Sequence, residues 1–238
     1  MHYTNILPAT FLARPNRFIA HISIQGHTEI CHVKNTGRCK ELLVPGAKLY
    51  VQASSNPDRK TKFDLISVQK GNRLINMDSQ APNKVVAEWL NAGNFPSLTK
   101  LKPEFTYKNS RLDFAFTQNG KPCLMEVKGV TLEENDIVRF PDAPTERGVK
   151  HLHELIASRQ EGYSAYMFFV IQMKSLKYFT PNWQTHPAFG EALQAAAASG
   201  VKLLAYDCQV TKDTLLINDP VKIIIASHPS NGWFAPAL

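Results

Sequence analysis

The sequence predicts two structural regions, a small β-barrel at residues 1–80 and a mixed-sheet α/β domain at residues 81–238. Short strands that alternate apolar and polar residues fill the first region. Helix-period segments alternate with apolar strands in the second, as in α/β folds. Near the start of the second region, a hairpin signal at Asn119-Gly120 joins two segments with charged residues on one face and apolar residues on the other.

The first region contains five predicted strands, each bounded by turn residues. They cover residues 17–24, 29–33, 48–52, 63–68 and 73–76. Residues 37–43, between the second and third strands, have the pattern of one helical turn. Five short strands with one small helical insert favour a closed barrel of the OB type.

The second region begins with a predicted helix that starts at Pro82 and ends at Gly93. The elements predicted after it are strands at 103–107, 111–118 and 121–128, a helix at 145–159, a strand at 163–172, a helix at 187–198 and a strand at 201–206. Residues 190–207 also resemble a helix-turn-helix, but the apolar character of residues 201–206 favours the strand.

Composition favours a folded protein with a cationic surface. Of the 238 residues, 44% are hydrophobic and 20% charged, and the net charge is +7, which favours a polyanionic partner such as nucleic acid. The N-terminus lacks a signal-peptide pattern, and no apolar run approaches the roughly 20 residues of a membrane span. The four cysteines lack metal-site or redox spacing. We therefore expect a cytoplasmic protein with reduced thiols and no membrane partner, and a homodimer is left open.

The hairpin fixes which charged residues face each other. With a two-residue loop at Asn119-Gly120, Asp113 lies opposite Glu126, and Arg111 lies opposite Lys128, all on one face. The other face is predicted to be core; its residues are Leu112, Phe114, Phe116, Cys123, Met125 and Val127.

A third acid is expected in the preceding strand. If Lys108-Asn109 is also a two-residue loop, Glu104 lies opposite Asp113. Lys-Asn is a weaker turn signal, and a one-residue slip would turn Glu104 to the other face.

An Asp on one strand followed by Glu-x-Lys on the next is the pattern of PD-(D/E)xK nucleases. Asp113, Glu126 and Glu104 are predicted to bind Mg²⁺ or Mn²⁺, because such hard cations prefer carboxylate oxygens. Lys128 is predicted to assist Asp113 and Glu126 in catalysis by orienting water or stabilising charge on a phosphate. The alternative is a solvent-exposed ladder of ion pairs with no catalytic role.

Basic residues supply predicted contacts to the phosphates of DNA. In the barrel, around strand ends and the 35–37 turn, they are Arg14, Arg17, Lys34, Arg38 and Lys40. In the α/β domain they are Arg111, Arg147, Lys150 and His151, with Arg147 and His151 expected on the polar side of a helix. The alternative for both groups is an ordinary solvated surface.

Five motifs together resemble the sugar fermentation stimulation protein A family. They are RPNRF at 14–18, NTGR at 35–38, SRLDF at 110–114, EVKGVT at 126–131 and FPDAPTERGVKHL at 140–152. The resemblance implies an OB-like domain, a nuclease-like domain and DNA binding, for which we expect double-stranded DNA with little sequence preference. It also implies a regulatory role in sugar, notably maltose, utilisation. Two functions therefore stay open: a metal-dependent endonuclease, and a non-catalytic DNA-binding transcription regulator.

Overall fold

The computed structural model describes residues 1–35, 37–56 and 58–225. Thr36, in the predicted 35–37 turn, and residues 226–238, at the end of the second predicted region, lie outside the described residues. No helix in the described ranges is both long and apolar enough to cross a bilayer.

The N-terminal region is a closed barrel. Its strands are β1 (Ile6–Asn16), β2 (Ile19–Ile24), β3 (His27–His32), β4 (Lys48–Ala53), β5 (Phe63–Lys70) and β6 (Arg73–Asn76). Hydrogen bonding follows the order β3-β2-β1-β4-β5, and a parallel contact between β3 and β5, at Cys31 and Phe63, closes the five strands. The predicted OB-type barrel is therefore confirmed.

One strand of the barrel was not predicted, whereas the predicted helical turn is present at residues 39–43. Strand β1 was not predicted, because it has Pro8 and Pro15 within it and buries only Ala9 and Phe11. Within the predicted helical turn at 37–43, the amides of Leu42 and Leu43 donate to the carbonyl of Cys39, and the bond from Leu43 is that of one α-helical turn.

Within residues 81–225, the second region contains three α-helices and a short π-helical segment, Leu90–Asn94, around a six-stranded sheet. Its elements are α1 (Ala81–Trp89), β7 (Leu98–Tyr107), β8 (Ser110–Gln118), β9 (Lys121–Val130), β10 (Leu132–Glu134), β11 (Ile137–Phe140), α2 (Glu146–Gln160), β12 (Ser164–Ile171), β13 (Tyr178–Pro181), α3 (Pro187–Ala198), β14 (Lys202–Val210) and β15 (Leu215–Pro220). The sheet has the order β15-β14-β12-β9-β8-β7, with β9, β12 and β14 parallel and the others antiparallel. The mixed-sheet α/β prediction is confirmed, and β14 excludes the helix-turn-helix alternative.

Four short strands were missed. Strands β10, β11 and β13 form a separate small sheet, and β15 extends the edge of the main sheet. Strands β10, β11 and β13 have only three or four residues each, which is too short for a period-two pattern to stand out.

The central strand β12 is buried on both faces. Met167 and Phe169 belong to the core that includes the apolar residues of α2 and α3, whereas Phe168 and Val170 belong to the core beneath α1. Burial of each large apolar side chain stabilises the fold by roughly 1.5–3 kcal/mol. Helices on both faces of the sheet explain why the sequence of this strand has no alternating polar positions.

Helix α2, which carries part of the candidate site, begins at a defined cap. Thr145 Oγ1 accepts a hydrogen bond from the amide of Gly148 at 3.0 Å. Beyond its C-terminal end, Gly162 adopts φ +89°, a left-handed conformation that suits glycine. These signals locate α2 close to its predicted bounds.

The barrel and the α/β domain are joined by a buried polar contact. The amide of Asn76, at the end of β6, donates to the carbonyl of Gln172 at 2.9 Å, and Gln172 Nε2 donates back to Asn76 Oδ1 at 2.9 Å. Ser79 Oγ also donates to the carbonyl of Lys34 at 2.6 Å. These bonds fix the start of α1 against both regions.

Candidate active site

The predicted register of the central hairpin is confirmed over the residues next to its turn. Asn119 and Gly120 have φ of +50° and +77°, as a type I′ turn requires. The pairing runs from Gln118 with Lys121 to Phe114 with Met125. The face predicted to be core is buried throughout, at Leu112, Phe114, Phe116, Cys123, Met125 and Val127.

The preceding hairpin also has its predicted register. Phe105 pairs with Leu112 and Pro103 with Phe114, which places Glu104 across from Asp113. The side chain of Glu104 is 67% exposed, and one of its oxygens lies 3.6 Å from a terminal nitrogen of Arg111. Glu104 is therefore at the right position along the strand but at the solvent rim.

An open cleft of about 600 Å³ brings together the predicted acids and lysine. Its lining residues are Ser79, Gln80, Asn83, Lys84, Glu104, Asp113, Glu126, Val127, Lys128, Phe140, Thr145, Arg147 and Gly148. The first turns of α1 and α2 form its walls, and β8 and β9 form its floor. The tertiary structure therefore combines residues of six elements, α1, α2, β7, β8, β9 and β11, in one site.

Glu126 is the most buried acid of this cleft, with 2% exposure. Lys128 Nζ and His151 Nδ1 both contact its Oε1 atom, whereas its Oε2 atom is buried without a hydrogen-bond partner. Burial by itself raises the pKa of Glu126, but the His151 hydrogen bond and the charge of Lys128 outweigh burial and lower it. The Glu126–Lys128 ion pair of the alternative ladder does form, but its predicted solvent exposure is wrong, because Glu126 is buried.

Asp113 is the second carboxylate and has different surroundings. Its Oδ1 accepts a hydrogen bond from Asn83 Nδ2 at 2.7 Å, and its Oδ2 accepts one from the amide of Val127 at 2.7 Å. Burial, followed by repulsion from Glu126, raises the pKa of Asp113. The two neighbouring carboxylates are therefore electrostatically coupled.

The number of protein ligands for a cation is small. Within residues 1–35, 37–56 and 58–225, no group of three or more histidine, cysteine, aspartate or glutamate side chains is arranged to hold a metal ion. Asp113 and Glu126 are the two adjacent carboxylates of the cleft, and Glu104 would have to turn inward to join them.

His151 lies elsewhere than predicted. It is 2% exposed and faces the sheet, so the expected position on the solvent side of its helix is wrong. Arg147 Nε donates to His151 Nε2 at 3.5 Å, which leaves the ring proton on Nδ1, facing Glu126. Arg147 itself is exposed on the cleft wall, whereas Lys150 is exposed and donates to the carbonyl of Asn109 at 3.4 Å.

Two of the basic residues predicted in the barrel are engaged within the protein. The guanidinium of Arg14 donates to four backbone carbonyls, and Lys34 lies 3.5 Å from Asp64 and 3.6 Å from Asp78. The other three form an exposed group around a second cleft of about 510 Å³; they are Arg17, Arg38 and Lys40.

A loop of the α/β domain reaches this basic group. Asp142 Oδ2 accepts a hydrogen bond from the amide of Arg38 at 3.1 Å. A Cβ atom on Gly37 would collide with the same carboxylate oxygen, so the close approach requires glycine. This contact connects the NTGR motif to the long motif at 140–152.

Asn83 and Lys84 are site residues that the sequence reasoning missed. The predicted start of α1 at Pro82 was a usable signal, since it placed Asn83 in the first helical turn. Its contact with Asp113 depends on the packing of α1 against β9, which a single sequence does not show.

Comparisons with known proteins agree with the fold and the motifs. A family model described as "SfsA N-terminal OB domain" matches residues 12–77, and one described as "Sugar fermentation stimulation protein RE domain" matches residues 80–214. The sugar fermentation stimulation protein homolog of Clostridium beijerinckii is 57% identical over 226 residues, covering 94% of this chain and 100% of the relative. The homolog of Desulfitobacterium hafniense strain Y51 is 57% identical, covering 94% of this chain and 98% of the relative.

A solved structure shows the same fold. The structure of Pyrococcus furiosus SfsA in complex with Ca²⁺ superposes with a TM-score of 0.85 at 24% identity, covering 94% of this chain and 98% of that one. With both domain models matched and relatives this similar over nearly the whole chain, the protein belongs to the sugar fermentation stimulation protein family.

Proposed function

We propose that this protein binds DNA and hydrolyses its phosphodiester bonds in the cleft of Asp113 and Glu126, with Mg²⁺ or Mn²⁺ as cofactor. The observation that carries this proposal is the unpartnered, buried Oε2 atom of Glu126 beside a second carboxylate. A buried carboxylate oxygen without a partner is costly, and a bound cation would satisfy it.

The donor set suits a hard divalent cation. Mg²⁺ binds through one or two carboxylates and keeps several water molecules, so Asp113 and Glu126 are sufficient as protein ligands. Glu104, at the solvent rim of the cleft, would be the third carboxylate ligand after its side chain turns inward. The related Pyrococcus furiosus protein was solved with Ca²⁺, a cation that also prefers oxygen ligands, and the proposal extends divalent-cation binding to this chain.

Lys128 and His151 have separate roles in the proposed reaction. When bound, the cation supplies polarisation of a phosphoryl oxygen and a lowered pKa for a water molecule. Lys128 Nζ, in the cleft beside Glu126 Oε1, stabilises the negative charge that develops on the phosphoryl group. His151 holds Oε1 from the other side and so fixes the orientation of the carboxylate.

The remaining basic residues of the cleft would hold the DNA. Lys84 and Arg147 are exposed on its walls and can contact phosphates on either side of the reacting bond. Phosphate contacts of this kind position a duplex without reading its sequence. The partner in this proposal is therefore double-stranded DNA in the cytoplasm, bound with little sequence preference.

A second candidate is a non-catalytic DNA-binding regulator. The observation that favours it is that Glu126 Oε1 is already contacted by Lys128 and His151 within the protein, together with the lack of a three-ligand metal group among the described residues. In that case Lys84 and Arg147 would still bind DNA phosphates, and the carboxylates of the cleft would have a structural role only. A role in sugar utilisation would belong to this candidate.

Plasmid nicking in Mg²⁺ and in Mn²⁺, each compared with EDTA, tests the proposal. We expect metal-stimulated nicking by the wild type and a loss of at least 100-fold in Asp113→Asn and Lys128→Ala, with Asp58→Asn, an exposed carboxylate of the barrel, as the matched control. Nicking that persists in both site variants contradicts the assigned site. Binding of the plasmid without nicking, in Mg²⁺ and in Mn²⁺, supports the regulator instead.

A further inference from the structure

An aromatic side chain stands exposed at the turn between β1 and β2. Phe18 is 50% exposed, although the turn that carries it is well fixed. Asn16 Oδ1 accepts hydrogen bonds from the amides of Phe18 at 2.9 Å and Ile19 at 3.1 Å, and the carbonyl of Phe18 accepts one from the amide of Val33 at 2.8 Å. The ring is therefore displayed from a rigid turn.

Arg14 fastens this turn to the segment that carries the other basic residues. One terminal nitrogen donates to the carbonyls of Arg17 at 2.8 Å and Asn35 at 2.9 Å. The other donates to the carbonyls of Gly37 at 3.1 Å and Arg38 at 2.7 Å. One half-buried guanidinium thus sets the Phe18 turn beside residues 37–40.

The surface made by this arrangement is cationic and partly aromatic. The guanidinium carbon of Arg17 lies 6.0 Å from the centre of the Phe18 ring. In the part of the chain that the structure describes, the side chains of Arg17, Arg38 and Lys40 form no salt bridge. Three unneutralised cations beside an exposed ring match a ligand with phosphates and an accessible aromatic face.

This surface is connected to the candidate active site. Gly37 lines both the basic cleft and a smaller cavity of about 170 Å³. That cavity shares Ser79 and Phe140 with the cleft of Asp113. Three adjoining cavities therefore lie between the barrel surface and the proposed reaction site.

We propose that the surface of Arg17, Phe18, Arg38 and Lys40 binds single-stranded DNA, with one base stacked on the Phe18 ring. In a duplex the faces of the bases are covered by their neighbours, whereas an unpaired strand offers both a free base and its phosphates. The substrate is then DNA with an unpaired strand that leads from the barrel towards the cleft. This inference rests on the proposed function, because it names the substrate class of the same DNA-binding protein.

Fluorescence anisotropy in EDTA tests the inference without cleavage. The probes are a labelled oligothymidylate of about 16 nucleotides and a duplex of the same length. We expect Phe18→Ala to weaken binding of the single strand roughly tenfold and to leave the duplex unchanged, because stacking on one aromatic ring contributes on the order of 5- to 100-fold in affinity. Leu216→Ala, which truncates a side chain of similar exposure on β15, is the matched control.

Phe18→Trp makes stacking directly observable. This variant should keep the wild-type affinity for the single strand. Its emission in excess of the wild type, which has three tryptophans, should be quenched by the single strand and not by the duplex. Equal single-strand affinity of Phe18→Ala and the wild type, an equal loss on both probes, or an unquenched indole overturns the inference.

Asp113→Asn separates this inference from the function on which it rests. The variant should bind the single strand like the wild type and fail to nick a plasmid. If the wild type nicks through Asp113 while Phe18→Ala binds the single strand normally, only the stacking surface is refuted. If the wild type binds neither probe, both proposals fail.

Discussion

His151, on α2, hydrogen-bonds through Nδ1 to Oε1 of Glu126, on β9. Both side chains are almost fully buried, with 2% exposure each. This pair connects the helix that covers the sheet to the carboxylate at the floor of the cleft, and it keeps a buried acid ionised.

Removal of the His151 donor should weaken both the fold and cation binding. We expect His151→Leu to lower the free energy of unfolding by about 1–3 kcal/mol, because a buried carboxylate loses a partner. We also expect a 10- to 100-fold loss of Mn²⁺ affinity, measured by calorimetric titration. His151→Asn, whose amide nitrogen can replace the Nδ1 donor, should retain most of the affinity. The exposed neighbour His153→Leu is the control, and wild-type Mn²⁺ affinity in His151→Leu contradicts the positioning role.

A bound cation should stabilise the folded protein through the same cleft. At a Mn²⁺ concentration about 100 times its dissociation constant, binding contributes about 2.7 kcal/mol. For a chain of this size that raises Tm by about 5–10 °C relative to EDTA, as measured by thermal denaturation. Glu126→Gln should abolish the shift, whereas Glu134→Gln, an exposed acid away from the cleft, should keep it. An unchanged shift in Glu126→Gln would place the cation elsewhere.

The barrel should lose stability in acid through Asp64. Burial raises the pKa of Asp64, but the Arg59 hydrogen bond, the charge of Lys34 and the His32 hydrogen bond outweigh burial and lower it to about 2. A lowered pKa in the folded state contributes stability that is present above the ordinary pKa of 3.8 and is lost as the pH falls towards 2. The contribution at pH 7 is about 2 kcal/mol.

Urea unfolding of Asp64→Asn and of the exposed control Asp58→Asn checks this dependence. Asp64→Asn should be about 2 kcal/mol less stable than the wild type at pH 7 and nearly equal to it near pH 2. A deficit that is the same at both pH values would contradict an ionisation effect.

Arg14 should be sensitive even to a conservative change. A lysine ammonium cannot span the four carbonyls that the planar guanidinium reaches, so Arg14→Lys leaves several of them unsatisfied. We expect a loss of about 1–3 kcal/mol in unfolding free energy, while Arg17→Lys, at an exposed position, changes stability by less than about 0.5 kcal/mol. Equal stabilities of the two variants would show that Arg14 does not organise the turn.

The sequence was sufficient for the central geometry because that geometry is local. The Asn119-Gly120 turn determines the pairing of β8 with β9, and the alternation of side chains then determines the face of each residue. The positions of Asp113, Glu126 and Lys128 therefore followed from one turn and one pattern.

The sequence was insufficient where a polar side chain is satisfied inside the protein. His151 and Arg14 both looked like surface residues, because polarity patterns assign polar side chains to solvent. Their partners, Glu126 and a set of backbone carbonyls, come from distant parts of the chain. Strand β1 was missed for a related reason, since it contributes few inward apolar residues.

The segment from Asp142 to His151 is anchored at three points: to the barrel at Arg38, at the Thr145 cap, and beneath Glu126. From Thr145 onward it is helical, so the distance from the cap to His151 is set at about 9 Å by the helical rise. Insertion or deletion of one residue would rotate His151 away from Glu126 by about 100°. The number of residues in this segment therefore determines where His151 lies. We expect the segment to tolerate substitutions at its exposed positions far better than an insertion or a deletion.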